Sequence, residues 1–255
     1  MNVVKFIIIG IGLPLTLVAI YALYSMVRSD HVAPIYVINL LITDLIQLCC
    51  MIVEVVPNVD KKICDIFTNI YQFGRFGSVN FMVCVALERY LVIAHPLWYR
   101  FRRTIKSSVA ICVLVWVLSL LCVVLYYVFA GNGVANKISA VFLLLPFPLL
   151  IFFLVGTLKA LSASISVPSD EKRRIVGVLV LVLLIYTLLF LPRIIRYLEV
   201  DSNTTLNYLS HMFVRLNPLA DLFLYVFMRK GTIDKLLASG CCCRMDSNDI
   251  SSPSV

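Results

Sequence analysis

The sequence predicts an all-α protein: a bundle of seven membrane-spanning helices, followed by a short amphipathic helix on the membrane surface. Three observations carry this expectation. The 255-residue chain is 61% hydrophobic and only 14% charged, with a mean hydropathy of +0.97, and cannot supply the polar exterior that a water-bathed core requires. Apolar runs close to or beyond the ~20 residues that cross a bilayer recur along it. Short polar joints separate these runs, and lysine and arginine crowd alternate joints.

The predicted spans are 3–27, 35–57, 64–93, 107–130, 138–161, 174–199 and 206–228. The first is too long for a signal peptide and lacks a clear cleavage site. The joints read VRSDHVAP, NVDKKI, the basic run at Pro96–Arg103, AGNGVANK, SISVPSDEKRR and DSNTT. With no long linker or repeat among them, residues 1–240 read as one domain and 241–255 as a tail.

Basic residues set the orientation. Segments after the odd spans carry Arg28, then Arg100, Arg102, Arg103 and Lys106, then Lys172, Arg173 and Arg174, then Arg229, Lys230, Lys235 and Arg244. The opposite side holds Lys61, Lys62 and Lys137, with Lys5 near the start. The N-terminus is therefore expected outside a plasma membrane and the C-terminus in the cytoplasm. The net charge of +8 then serves the anionic inner leaflet, with no need of nucleic acid.

Cys49, Cys50, Cys84, Cys112 and Cys122 lie within spans and read as small packing residues. Cys241, Cys242 and Cys243 follow the amphipathic stretch KGTIDKLLASG and read as palmitoylation sites. Asn203 begins an Asn-Thr-Thr glycosylation sequon on the expected outer side.

Glu88-Arg89-Tyr90 closes the third span, with Pro96 beyond it. The second span carries Asn39, Leu40 and Asp44, the fourth has Trp116, the sixth has Leu189-Phe190-Leu191-Pro192, and the seventh reads NPLADLFLY with Asp221 and Tyr225. In this order and at these depths, the motifs resemble those of rhodopsin-like (class A) G-protein-coupled receptors. The likeness covers nearly the whole chain and is nearest the branch for nucleotides, lysolipids, protons and carboxylic acids. It implies a receptor rather than an enzyme, with Glu88, Arg89, Tyr90 and Tyr225 as the switch that engages a heterotrimeric G protein. Receptor kinase and arrestin would act on tail serines such as Ser247, Ser251, Ser252 and Ser254.

Two polar sets inside the spans need partners. Asp44, Ser78, Asn217 and Asp221 resemble the family's sodium-and-water pocket, and oxygen ligands suit a hard cation; the alternative is a hydrogen-bonded network without an ion. Arg75, Arg193, Arg196, His211 and Arg215, with Glu54 as a countercharge, are expected toward the outer end. They read as a site for an anionic small molecule or lipid headgroup held by forked guanidinium contacts. An internal ion-pair network including Glu54 or Asp65 is the alternative, with Arg196 snorkelling to the headgroups.

The chain departs from the family pattern at several positions. Cys64 lacks its usual partner because AGNGVANK has no cysteine, and Thr16 stands where an asparagine is expected. Leu154 or Gly156 replaces a tyrosine of the fifth span, and Leu222 replaces the seventh-span motif proline, which predicts a straighter helix there. Little sequence precedes the first span, which argues against a tethered ligand. A proton-sensing or ligand-independent receptor and a shortened, signalling-impaired isoform remain open.

Other classes fit poorly. Internal repeats expected of many transporters are not evident. The seventh span has no lysine for a retinal Schiff base, and H-E-x-x-H, G-x-S-x-G and Walker motifs are absent.

Overall fold

The computed structural model describes residues 2–28, 35–95, 97, 99, 105–129, 134–163, 169–198 and 204–228. The tail cysteines and serines, Asn203, Pro96, most of the basic joint after the third span and the expected surface helix lie outside the described residues. The described chain forms α1 (Asn2–Arg28), α2 (Ile35–Val55), α3 (Lys61–Ala94), α4 (Ile105–Val128), α5 (Val134–Leu144), α6 (Pro146–Ala163), α7 (Ser169–Leu198), α8 (Thr204–Arg215) and α9 (Asn217–Met228). Six stretches are long and apolar enough to cross a membrane: α1, α2, α3, α4, the α5–α6 pair and α7. The seventh span is α8 and α9 in series.

Proline explains both broken spans. Pro146 and Pro148 supply no amide hydrogens, so the helical ladder is interrupted at Leu145 between α5 and α6. The Leu143 carbonyl instead accepts the Tyr186 hydroxyl at 2.6 Å. Tyr186 packs against Phe147 and Phe190 with ring centroids 4.9 and 4.8 Å away, which ties the break to α7.

The seventh span corrects the expectation of a straighter helix. Pro218, one turn before the motif position held by Leu222, moves the interruption toward α8. Leu216 forms the turn, with its amide donating to Phe213 O at 3.0 Å while its own carbonyl accepts from Leu219 and Ala220, each at 3.0 Å.

Entry into α3 is fixed locally. Asn58 adopts φ 63°, a conformation asparagine tolerates better than most residues. Asp60 then caps the helix by accepting from Lys62 N at 3.2 Å. α3 runs through the bundle centre, with Phe76, Val79, Phe81, Met82, Val85 and Ala86 buried. Gly74 and Gly77 admit α2: a Cβ on Gly77 would lie 2.9 Å from Thr43 Cγ2, the close approach that small residues permit between membrane helices. α4 exposes Val113, Leu114, Val117, Leu118, Leu120 and Leu121, a face suited to lipid rather than water.

Candidate functional site

Four sequence motifs meet as hydrogen bonds or buried contacts. Trp116 Nε1 donates to Asn39 Oδ1 at 3.0 Å, while Asn39 Nδ2 donates to the Ile35 carbonyl at 2.9 Å and reaches Cys112 Sγ at 3.5 Å. This joins α2 to α4. Tyr225 and Glu88 are buried, and Arg89 is half-buried with Nε lacking a hydrogen-bond partner. Glu88 Oε1 accepts from the Tyr99 hydroxyl at 3.0 Å. Tyr90 stacks on Phe153 with centroids 5.6 Å apart, over the space left by Gly156, where a Cβ would lie 2.6 Å from the tyrosine ring. At the same end Arg174 donates to the Met228 carbonyl at 2.9 Å, linking α7 to the C-terminal end of α9.

The mid-bundle set is short of donors. Asp44, Ser78, Asn217 and Asp221 are each 0% exposed. Ser78 donates to Asp221 Oδ2 at 2.9 Å, and Asn217 Nδ2 donates to Ser78 Oγ at 2.8 Å and to Asp221 Oδ2 at 3.2 Å. Asp44 neighbours Asp221. Both Asp44 oxygens, Asp221 Oδ1 and Asn217 Oδ1 are left without partners. Buried orphan acceptors around two carboxylates fit a hard cation or added protons chemically. Among the described residues no group of three or more His, Cys, Asp and Glu could hold a metal, so a cation here would depend on the Ser78 and Asn217 oxygens.

Near Arg75 the imbalance is reversed. Arg75 is 2% exposed, with Nε and Nη2 unpartnered, and its guanidinium lies 5.1 Å from the Phe76 ring centroid. Arg193 lies 4.6 Å from the Tyr197 centroid and reaches Ser210 Oγ at 3.5 Å. Among the described residues no carboxylate lies within salt-bridge distance of either arginine. The buried Tyr71 and Tyr197 hydroxyls have no hydrogen-bond partners, although Tyr197 neighbours both Arg193 and Arg75. Half-buried His211 lies within electrostatic reach of Arg193, Arg215, Arg75 and Glu54. Arg196 is half-buried with Nε unpartnered.

Glu54 joins three elements. Its Oε2 accepts from Lys5 Nζ of α1 at 3.0 Å and from Arg215 Nη1 of α8 at 2.5 Å. Arg215 also lies 5.7 Å from the Tyr71 centroid. The ion-pair alternative thus describes Arg215 but leaves Arg75 and Arg193 uncompensated. Asp65 is no part of the pairing: it is exposed in an open groove of about 540 Å³ lined also by Lys62, Asn69 and Tyr127.

Sequence reasoning missed Lys5, Tyr71, Tyr197, Ser210 and Tyr99 as site residues. Helical spacing offered a signal for two, since Tyr71 precedes Arg75 by one turn and Tyr197 follows Arg193 by one. Lys5 and Glu54 are 49 residues apart and meet only through tertiary packing.

Comparison with known proteins adds the family. Residues 16–137 match the model of the 7 transmembrane receptor (rhodopsin family). Mouse G-protein coupled receptor 68 is 29% identical over 126 residues, covering 45% of this chain and 33% of that receptor. Human G-protein coupled receptor 35 is 27% identical over 115 residues, with 44% and 37% covered. A purinoceptor of Xenopus laevis is 26% identical over 137 residues, with 50% and 26% covered. The chain thus matches about a third or less of the length of these relatives. Over residues 16–137, somewhat under half of the chain, the sequence thus matches a rhodopsin-family 7 transmembrane receptor domain, and the helical bundle and its motif contacts agree with that likeness.

Proposed function

We propose that the protein is a plasma-membrane receptor with its N-terminus outside, which binds an extracellular anionic small molecule or lipid headgroup beside Arg75 and engages a heterotrimeric G protein through the Arg89 end. The observation that carries the ligand class is the surplus of buried donors: Arg75 Nε and Nη2 and the Tyr71 and Tyr197 hydroxyls lack acceptors. A carboxylate or phosphate supplies acceptor oxygens and the missing charge together. One relative is a purinoceptor by name, which keeps a purine-bearing anion within the candidate class.

Ligand binding biases a two-state bundle by its affinity difference between the states. The state without G protein is held at the Arg89 end by Tyr90 against Gly156 and by Arg174 on the Met228 carbonyl. Movement of α7 away from α9 breaks the second contact and opens a face for G protein beside Arg89 and Tyr225. Asp44, Ser78, Asn217 and Asp221 hold sodium in the unopened form, where the orphan oxygens support oxygen ligation. Palmitoylation at Cys241–Cys243, glycosylation at Asn203 and tail phosphorylation for arrestin remain parts of the same proposal.

The decisive experiment screens anionic metabolites and lipids for G-protein dissociation in cells bearing surface-tagged receptor. Arg75→Ala is expected to abolish the response at unchanged surface level. A response that survives in Arg75→Ala refutes the assigned ligand site.

A further inference from the structure

We propose that Glu54 determines how much negative charge the ligand site accepts, by occupying Arg215 and Lys5 as an internal counter-anion. The inference rests on the anionic-ligand reading and deepens it. Glu54 Oε2 receives both the Lys5 ammonium and the Arg215 guanidinium, and its side chain is 11% exposed. Solvent therefore weakens these interactions little. Arg215, paired with Glu54, also lies 5.7 Å from the Tyr71 ring centroid, and Tyr71 is within electrostatic reach of Arg75, Arg193 and Glu54 as well, so the countercharge and the arginines without a carboxylate act on one region.

This arrangement divides the cations into two groups. Arg75 and Arg193 remain free to meet one anionic group. Arg215 and Lys5 already have a carboxylate, and a second ligand charge approaching them also meets Glu54. A monoanion satisfies the orphan donors without that repulsion, whereas a dianion must overcome it. Removing the Glu54 charge releases the second pair and favours dianions selectively. A mere staple between α1, α2 and α8 acts differently: loss of Glu54 then weakens the whole bundle and affects both ligand classes alike.

Two probes with the same tail separate these outcomes: dodecanoate, a monoanion, and dodecyl phosphate, predominantly a dianion at pH 8. Their affinities are measured on the full chain in nanodiscs, and their ratio cancels the shared tail contribution. Glu54→Gln is expected to shift the ratio toward dodecyl phosphate by about ten-fold, equivalent to about 1.4 kcal/mol. Lys5→Gln, which leaves the Glu54 charge less compensated, is expected to shift it toward dodecanoate and carries the test if Glu54→Gln fails to fold. An unchanged ratio, or parallel weakening of both probes, overturns the assignment of Glu54 while leaving Arg75-dependent binding intact. Absence of binding to the wild type, or undiminished binding to Arg75→Ala, overturns the ligand site and this inference with it.

Discussion

Replacing Arg75 with methionine is expected to stabilise the ligand-free protein while removing the proposed ligand response. The two effects have one cause. Arg75 Nε and Nη2 are buried without acceptors, and each unsatisfied donor costs about 1–3 kcal/mol. The Phe76 ring, 5.1 Å from the guanidinium carbon, returns about 0.5–2 kcal/mol as a cation–π contact. Methionine retains much of the apolar volume and needs no partner, so a net gain on the order of 2 kcal/mol follows. For a chain of this size that corresponds to about 4–8 °C in thermal midpoint. Arg215→Met reverses the sign because it leaves Glu54 paired with Lys5 alone; a loss of about 1–2 kcal/mol is expected, below the range for a fully buried pair because the site is partly exposed. Thermal unfolding of purified ligand-free protein tests both. A lower midpoint for Arg75→Met would refute the reasoning, because it would show that Arg75 is satisfied within the fold and needs no ligand.

At the opposite end, Gly156→Ala is expected to cost about 1–3 kcal/mol by overpacking against Tyr90; Tyr90→Ala should relieve most of that increment in a double-mutant thermal-unfolding cycle. Arg174→Gln is expected to raise ligand-independent G-protein activation by weakening the contact to Met228 O, and unchanged basal activity at equal surface level would exclude that restraint. Trp116→Phe is expected to lose about 1 kcal/mol with the Asn39 hydrogen bond, measured as a lower midpoint in denaturation of the purified receptor. Replacing choline with sodium at constant chloride is expected to weaken agonist binding, and Asp44→Asn should remove that response; an identical response in the variant would eliminate Asp44 as the sodium ligand.

The spans were legible because bilayer thickness imposes a length on apolar runs, independently of tertiary contacts. The motif residues were legible because each is an expensive or unusual side chain at membrane depth. The break in the seventh span was not, for a definite reason. Leucine at position 222 points to an uninterrupted helix, but Pro218 one turn earlier removes an amide from the ladder whatever the motif position holds. The Tyr99 hydroxyl on Glu88 was not legible either, because the two residues are eleven apart and meet only where the chain after α3 folds back to it. The Lys5–Glu54 contact carried no local signature, because a lysine near the start of an apolar helix acquires its partner only when α1 packs against α2.

The two unbalanced clusters are neighbours, and that constrains how they communicate. Arg75 and Ser78 are separated by one turn of α3, while Arg215 and Asn217 flank the interruption at Leu216. Donors without acceptors therefore stand next to acceptors without donors, across the break in the seventh span. Direct electrostatics has a fixed sign here: an anion beside Arg75 attracts a cation beside Asp44, so each should strengthen the other's binding. If sodium weakens agonist binding, a structural change must oppose and exceed that attraction. The turn at Leu216 is well placed for it, because α8 can follow the ligand while α9 reorients Asn217 and Asp221 and disperses the oxygen set. By linkage the ligand must then weaken sodium binding by the same factor, which makes the sign of the sodium effect a measure of movement at Leu216 rather than of charge alone.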